Sequence, residues 1–136
     1  MAKGGNEMDK KIMIVDDELD ILDSLKLVFE REDYDVVTVD SGKKCLKELE
    51  KGFKGVILMD IMMPNLDGWD TIKEIVSQDL IRNVEIEIIT GKGTRDHQKM
   101  GGFGSYIYDY LAKPLNVKEL VESVKKCSAY LHARTN

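Results

Sequence analysis

A five-stranded parallel α/β sheet is the fold this sequence predicts, and two observations predict it. Short apolar runs alternate with stretches of helical periodicity along the whole chain, which is the pattern of repeated βα units. The runs at 12–15 and 56–59 are continuously apolar, as strands covered on both faces must be. With 136 residues, 43% apolar and 33% charged, the chain suffices for one domain with a proper core.

The predicted strands are 11–15, 35–39, 56–59, 85–89 and 106–111. The run at 85–89 opens on Glu85 and is interrupted after that only at Glu87, while 35–39 and 106–111 carry more polar residues and suit sheet edges. The first helix, 18–30, places Ile21, Leu22, Leu25, Val28 and Phe29 on one stripe. The second, 42–51, follows the N-cap candidate Ser41 and directs Cys45, Leu46 and Leu49 inward. The third starts after Asp67-Gly68, with Trp69, expected to be partly buried, Ile72, Ile75 and Val76 on one face. A weak fourth helix falls at 94–100, with one strong apolar residue and glycines at 91, 93, 101, 102 and 104 around it. The last helix runs from 117 to about 130, with Asn116 as cap and Leu120, Val124, Cys127 and Leu131 as its stripe.

Five βα units and nothing more make a flavodoxin-like three-layer sandwich with strand order 2-1-3-4-5. The domain is expected over 11–131, preceded by a flexible leader at 1–10 and followed by a tail at 132–136. The net charge of −5 argues against a dedicated nucleic-acid binder. No apolar run reaches membrane-spanning length and the N-terminus is not a signal peptide, so a cytoplasmic location is expected. Cys45 and Cys127 read as buried free thiols, and His97 and His132 as solvated surface residues.

In an open parallel sheet, ligands bind beyond the carboxyl ends of the strands, where strand order reverses. Asp16 and Asp17 follow the first strand and Asp60 the third, so all three fall at that point. Thr90 ends the fourth strand and Lys113 the fifth, on the same rim. Clustered carboxylates repel one another unless a cation offsets them, and Mg²⁺ is the hard ion for oxygen ligands. Asp16 and Asp17 are placed to hold that ion, and Asp60 to act as the nucleophile of an acyl phosphate. Lys113 offsets charge on phosphoryl oxygens, and the Thr90 hydroxyl can donate to one of them. Each residue alone has a plainer explanation, such as helix cap, turn residue or solvated charge; the five together point to phosphoryl transfer.

The segments Ile14-Val15-Asp16-Asp17-Glu18, Leu58-Met59-Asp60-Ile61-Met62-Met63-Pro64 with Asp67-Gly68, Ile88-Ile89-Thr90-Gly91 and Asp109-Tyr110-Leu111-Ala112-Lys113-Pro114 together resemble those of response-regulator receiver domains. The resemblance spans roughly 11–131. It implies that Asp60 accepts a phosphoryl group from the phosphohistidine of a histidine kinase or histidine phosphotransfer protein. It implies Mg²⁺ on Asp17, Asp60 and the Met62 carbonyl, with Asp16 acting largely through water. It implies that Thr90 and Tyr110 form a conformational switch, that the Lys113–Pro114 bond is cis, and that an output protein binds the face made by the fourth helix, fifth strand and last helix. Such a receiver catalyses only its own phosphorylation and dephosphorylation, and without a further domain its output passes through protein contact.

Several positions depart from the family pattern. Gly91 stands where an alanine is common and should leave phosphoryl access open, while Met62 and Lys92 occupy positions that influence acyl-phosphate lifetime. The glycine-rich stretch replaces an amphipathic helix, so weak hydrogen-exchange protection is expected across 94–104. A flavodoxin-type cofactor binder would need a Ser/Thr/Gly-rich loop where Asp16-Asp17-Glu18 stands. A phosphatase acting through aspartyl phosphate would carry a second acid where Met62 stands.

Overall fold

The computed structural model describes residues 10–91 and 104–135. Residues 1–9 of the predicted leader, the weak helix at 94–100, Lys92 and His97 lie outside the described residues. Strands β1 (Lys11–Val15), β2 (Asp35–Val39), β3 (Gly55–Asp60), β4 (Val84–Thr90) and β5 (Ile107–Ala112) form one parallel sheet in the order β2-β1-β3-β4-β5. The helices among the described residues are α1 (Leu19–Arg31), α2 (Gly42–Glu50), α3 (Gly68–Ser77) and α4 (Val117–Thr135). A 3₁₀ turn, Gly104–Tyr106, leads into β5, so Tyr106 precedes the strand that the sequence pattern would start there.

The sheet divides the apolar side chains by alternation. One face sends Met13, Val15, Ile57, Met59, Ile86 and Ile88 toward Cys45 and Leu49 of α2 and Trp69, Ile72 and Ile75 of α3. The other sends Ile12, Ile14, Val56, Leu58 and Ile89 toward Leu22, Leu25 and Phe29 of α1 and Leu120, Val124 and Cys127 of α4. All six residues of β3 are buried, whereas β2 and β5 are partly exposed, as the centre and edges of a covered sheet require. Burying each large aliphatic chain in these layers contributes about 1.5–3 kcal/mol, which is why the apolar runs dictate the layering.

Local signals set the helix starts. Ser41 Oγ accepts the Lys44 N–H at 3.1 Å, Asp67 Oδ1 accepts the Asp70 N–H at 2.9 Å, and Asn116 Oδ1 accepts the Glu119 N–H at 3.1 Å. Trp69 is buried, not partly exposed, because the first turn of α3 lies directly on the core that holds Met63 and Ile72. Glu87 does not interrupt the covered strand as an outward-facing polar residue would; it too is fully buried. Cys45 and Cys127 are buried and free, and burial pushes both thiols well above their usual range.

The last helix outruns its predicted end. The sequence pattern stops near residue 130 and leaves 132–136 as a tail, yet α4 continues to Thr135 and His132 is half-buried within it. Arg134 explains the extension. Its Nε pairs with Glu85, and its two terminal nitrogens donate to the carbonyls of Arg82 at 2.9 Å and Val84 at 2.7 Å. These contacts fasten the end of α4 to the start of β4. No hydrophobic pattern could report an anchor made of backbone carbonyls 50 residues away.

Candidate functional site

The register of the sheet assembles the site. Val15 pairs with Met59, so the next residues, Asp16 and Asp60, emerge side by side at the carboxyl ends of β1 and β3. Asp60 is in register with Ile89, which brings Thr90 beside it, and Thr90 pairs with Ala112, which delivers Lys113. The Lys113 N–H donates to the Thr90 carbonyl at 2.9 Å, and the Lys113–Pro114 peptide is cis.

The three acids converge as expected. Carboxylate oxygens of Asp16, Asp17 and Asp60 all lie within 4.8 Å of one another, the arrangement a metal ion needs. Asp16 and Asp60 are buried and Asp17 is exposed. Asp16 Oδ1 accepts the Glu18 N–H at 2.9 Å, while its Oδ2 is buried with no hydrogen-bond partner among the described residues. Burial pushes the Asp16 carboxyl up to about 6; the Glu18 N–H opposes that rise and the charge of Asp60 adds to it. A buried, unpaired acid oxygen beside a second buried acid is what a cation would relieve. The donor set, hard carboxylate oxygens opening to solvent on the Asp17 side, fits Mg²⁺.

Asp60 is held at both oxygens. Oδ1 accepts the Met62 N–H at 2.9 Å, and Lys113 Nζ stands 3.6 Å from Oδ2. That geometry fixes the carboxylate while the lysine, partly exposed, faces the opening. Thr90 is buried at the end of β4. Tyr110 pairs with Ile88 on β5, so Thr90 and Tyr110 lie on the same face of the sheet, and the Tyr110 ring packs on the α2–α3 core. Met62 is exposed, apolar and beside the site.

Glycines shape the rim. A Cβ on Gly68 would fall 2.6 Å from Ile61 Cα and 2.9 Å from the Asp60 carbonyl oxygen, so the start of α3 sits directly against the loop that follows Asp60. The pair Asp67-Gly68 marks the helix start in the sequence, but this contact has no signal there. Among the described residues, nothing lies within 4 Å of where a Gly91 side chain would project.

A parallel five-stranded sheet with acids at its switch point and Thr, Tyr and Lys on the neighbouring strands defines a receiver-type signalling module. The chain belongs to the response-regulator receiver family: the model of the response regulator receiver domain matches residues 12–125. It is a receiver domain of two-component signalling. It is 34% identical over 115 residues to a CpxR-homologue transcriptional regulatory protein of Haemophilus influenzae, covering 85% of this chain and 48% of that one. It is 36% identical over 118 residues to the alkaline phosphatase synthesis transcriptional regulatory protein PhoP of Bacillus subtilis, covering 87% and 48%. The chain thus spans about half the length of these relatives. Among solved structures, a CheY-like receiver domain protein of Methanospirillum hungatei superposes with a TM-score of 0.86 at 35% identity, covering 92% of this chain and 98% of that one. Among the described residues, no helix is long and apolar enough to cross a membrane.

Proposed function

We propose that this receiver is phosphorylated on Asp60 by the phosphohistidine of a histidine kinase or histidine phosphotransfer protein, and that it signals through Thr90 and Tyr110 to an output partner. One observation carries the reading: a buried Asp60 carboxylate gripped by the Met62 N–H and approached by Lys113, beside two further acids. Asp16, Asp17, Asp60 and the Met62 carbonyl would hold Mg²⁺, which when bound screens the acids and the phosphoryl oxygens from one another. An Asp60 oxygen attacks phosphorus, the P–N bond of the phosphohistidine breaks, and the imidazole leaves with that electron pair. The Met62 N–H orients Asp60 for in-line approach, and Lys113 Nζ offsets charge on the transferring group. The Thr90 hydroxyl then donates to a phosphoryl oxygen, and the space it vacates admits Tyr110 from β5. The altered face of β5 and α4 is the surface an output partner reads, on the same polypeptide or another; a few kcal/mol of differential contact suffices.

Intact-mass measurement after incubation with Mg²⁺ and acetyl phosphate tests this. One added phosphoryl group, absent without Mg²⁺ and absent in Asp60→Asn, is expected. An adduct that persists in Asp60→Asn, or none in the wild type at any donor concentration, would refute the assignment.

A further inference from the structure

On the face of the sheet covered by α4, away from the phosphoryl rim, lies a polar group that the signalling chemistry does not use. Glu87 of β4 is fully buried in a layer otherwise built of Ile14, Leu58, Ile89, Val124 and Cys127. It pairs in register with Asp109 of β5, at an irregularity in the β4–β5 ladder. Ser123 of α4 stands over both acids, its Oγ 2.5 Å from Glu87 Oε2 and 3.4 Å from Asp109 Oδ2. Glu87 Oε1 is buried with no hydrogen-bond partner among the described residues.

Counting protons decides how these groups are joined. A serine hydroxyl has one hydrogen and can satisfy one acceptor with it. If both acids were ionised, Ser123 would turn a lone pair toward one of them, two like charges would face each other with Glu87 fully buried, and Glu87 Oε1 would be a charged oxygen with no donor among the described residues. Each of these is costly in a buried layer. One added proton removes all three faults. Glu87 as the acid donates to Ser123 Oγ, Ser123 donates to Asp109 Oδ2, and Oε1 becomes the carbonyl of a neutral group. Asp109 is the member suited to keep the charge, because its Oδ1 already accepts the Tyr110 N–H at 2.8 Å.

We propose that Glu87, Ser123 and Asp109 form a proton-binding site centred on the buried Glu87, and that the bound proton latches α4 onto the β4–β5 edge of the sheet. The site stands apart from phosphorylation and is tested without it. The titratable groups around it offer no competing explanation. Asp109 and Tyr108 face it from β5, Glu85 lies on its own strand, Cys127 is a neutral thiol on α4, and Arg134 is taken up by Glu85 and two backbone carbonyls. Burial, with the charge of Asp109 adding to it, pushes Glu87 up to about 7, which puts loss of the proton near neutrality. The latch is therefore complete in acid and weakens as pH rises, since the open form of α4 would release the proton at the ordinary glutamate value and the closed form would hold it.

Carboxyl ¹³C NMR of the labelled full chain from pH 4 to 9 tests the proton directly, with the Glu87 resonance identified by its loss in Glu87→Gln. A midpoint near 7 is expected; a midpoint at the ordinary glutamate value of about 4.3 would overturn the proposal. Hydrogen exchange of the α4 amides, corrected for the intrinsic rate, tests the latch. The opening constant should rise about tenfold per pH unit between about pH 5 and 7 and then level off. In Glu87→Gln the rise should vanish, because the amide NH₂ donates to Ser123 Oγ at every pH. Equal pH profiles in wild type and Glu87→Gln would overturn the latch even if Glu87 titrates late. Should Glu87→Gln fail to fold, Asp109→Asn supplies the second variant: it must lower the Glu87 midpoint, and an unchanged midpoint counts against the shared proton.

Discussion

Gly68 gives the sharpest link between packing and chemistry, and Gly68→Ala tests it. The added Cβ would lie 2.6 Å from Ile61 Cα, 2.8 Å from Ile61 Cγ2 and 2.9 Å from the Asp60 carbonyl oxygen. Two of those neighbours are backbone, so no rotamer change relieves them. Either the first turn of α3 lifts from the sheet or the loop after Asp60 moves. Overpacking of this kind costs about 1–3 kcal/mol. The better helix propensity of alanine offsets a few tenths at a first-turn position. A net loss of about 1–2 kcal/mol is expected, a Tm lower by roughly 4–8 °C. The same displacement moves Asp60 and its Met62 N–H contact, and misplacing a reacting group by about 1 Å can cost about a hundredfold in rate. Urea denaturation and the rate of labelling by acetyl phosphate measure the two effects. Gly91→Ala is the packing control: among the described residues nothing lies within 4 Å of its Cβ, and its backbone is not left-handed. It should gain about 0.4–1 kcal/mol from the unfolded state, the opposite sign to Gly68→Ala. A Gly68→Ala protein as stable as wild type and labelled at the same rate would refute the account of close approach.

Three further outcomes follow from the geometry. Because Glu87 rises from 4.5 unfolded to about 7 folded, its stabilising contribution is complete below pH 4.5 and lost as pH climbs through 7; Glu87→Gln should match wild type near pH 4.5 and exceed it by about 2–3 kcal/mol at pH 8 in urea melts, and equal stabilities at pH 8 would contradict this. Asp16→Asn removes a buried acid held ionised at a cost, so the metal-free protein should gain about 1–3 kcal/mol at pH 7.5, while the rise in Tm that Mg²⁺ gives the wild type should largely disappear; an undiminished Mg²⁺ effect would exclude Asp16 from the metal site. Arg134→Ala should cost about 1–2 kcal/mol and raise exchange in the last turn of α4, with the core strands unaffected; unchanged exchange there would mean the anchor holds nothing.

The sequence by itself determined the layering and the rim. Continuous apolar runs at β1 and β3 can be covered only by helices on both faces, and a parallel sheet of that kind presents every strand's carboxyl end on one side. Asp16, Asp17, Asp60, Thr90 and Lys113 could therefore be assigned to one site from their places after strands, and Ser41 and Asn116 could be read as caps because a cap acts within one turn. Tertiary structure decided what depends on groups distant along the chain. Arg134 extends α4 by finding carbonyls of β4, Gly68 is required by a backbone it meets only after folding, and Trp69 is buried because α3 docks where it does. Glu87 is the clearest instance. Its sequence context reads as a lone polar break in a strand, and only the register with Asp109 and the placement of Ser123 turn it into a buried acid that must share a proton. Periodicity records which face a residue takes, whereas the energy of a polar group depends on what stands opposite it, and that is fixed by the fold.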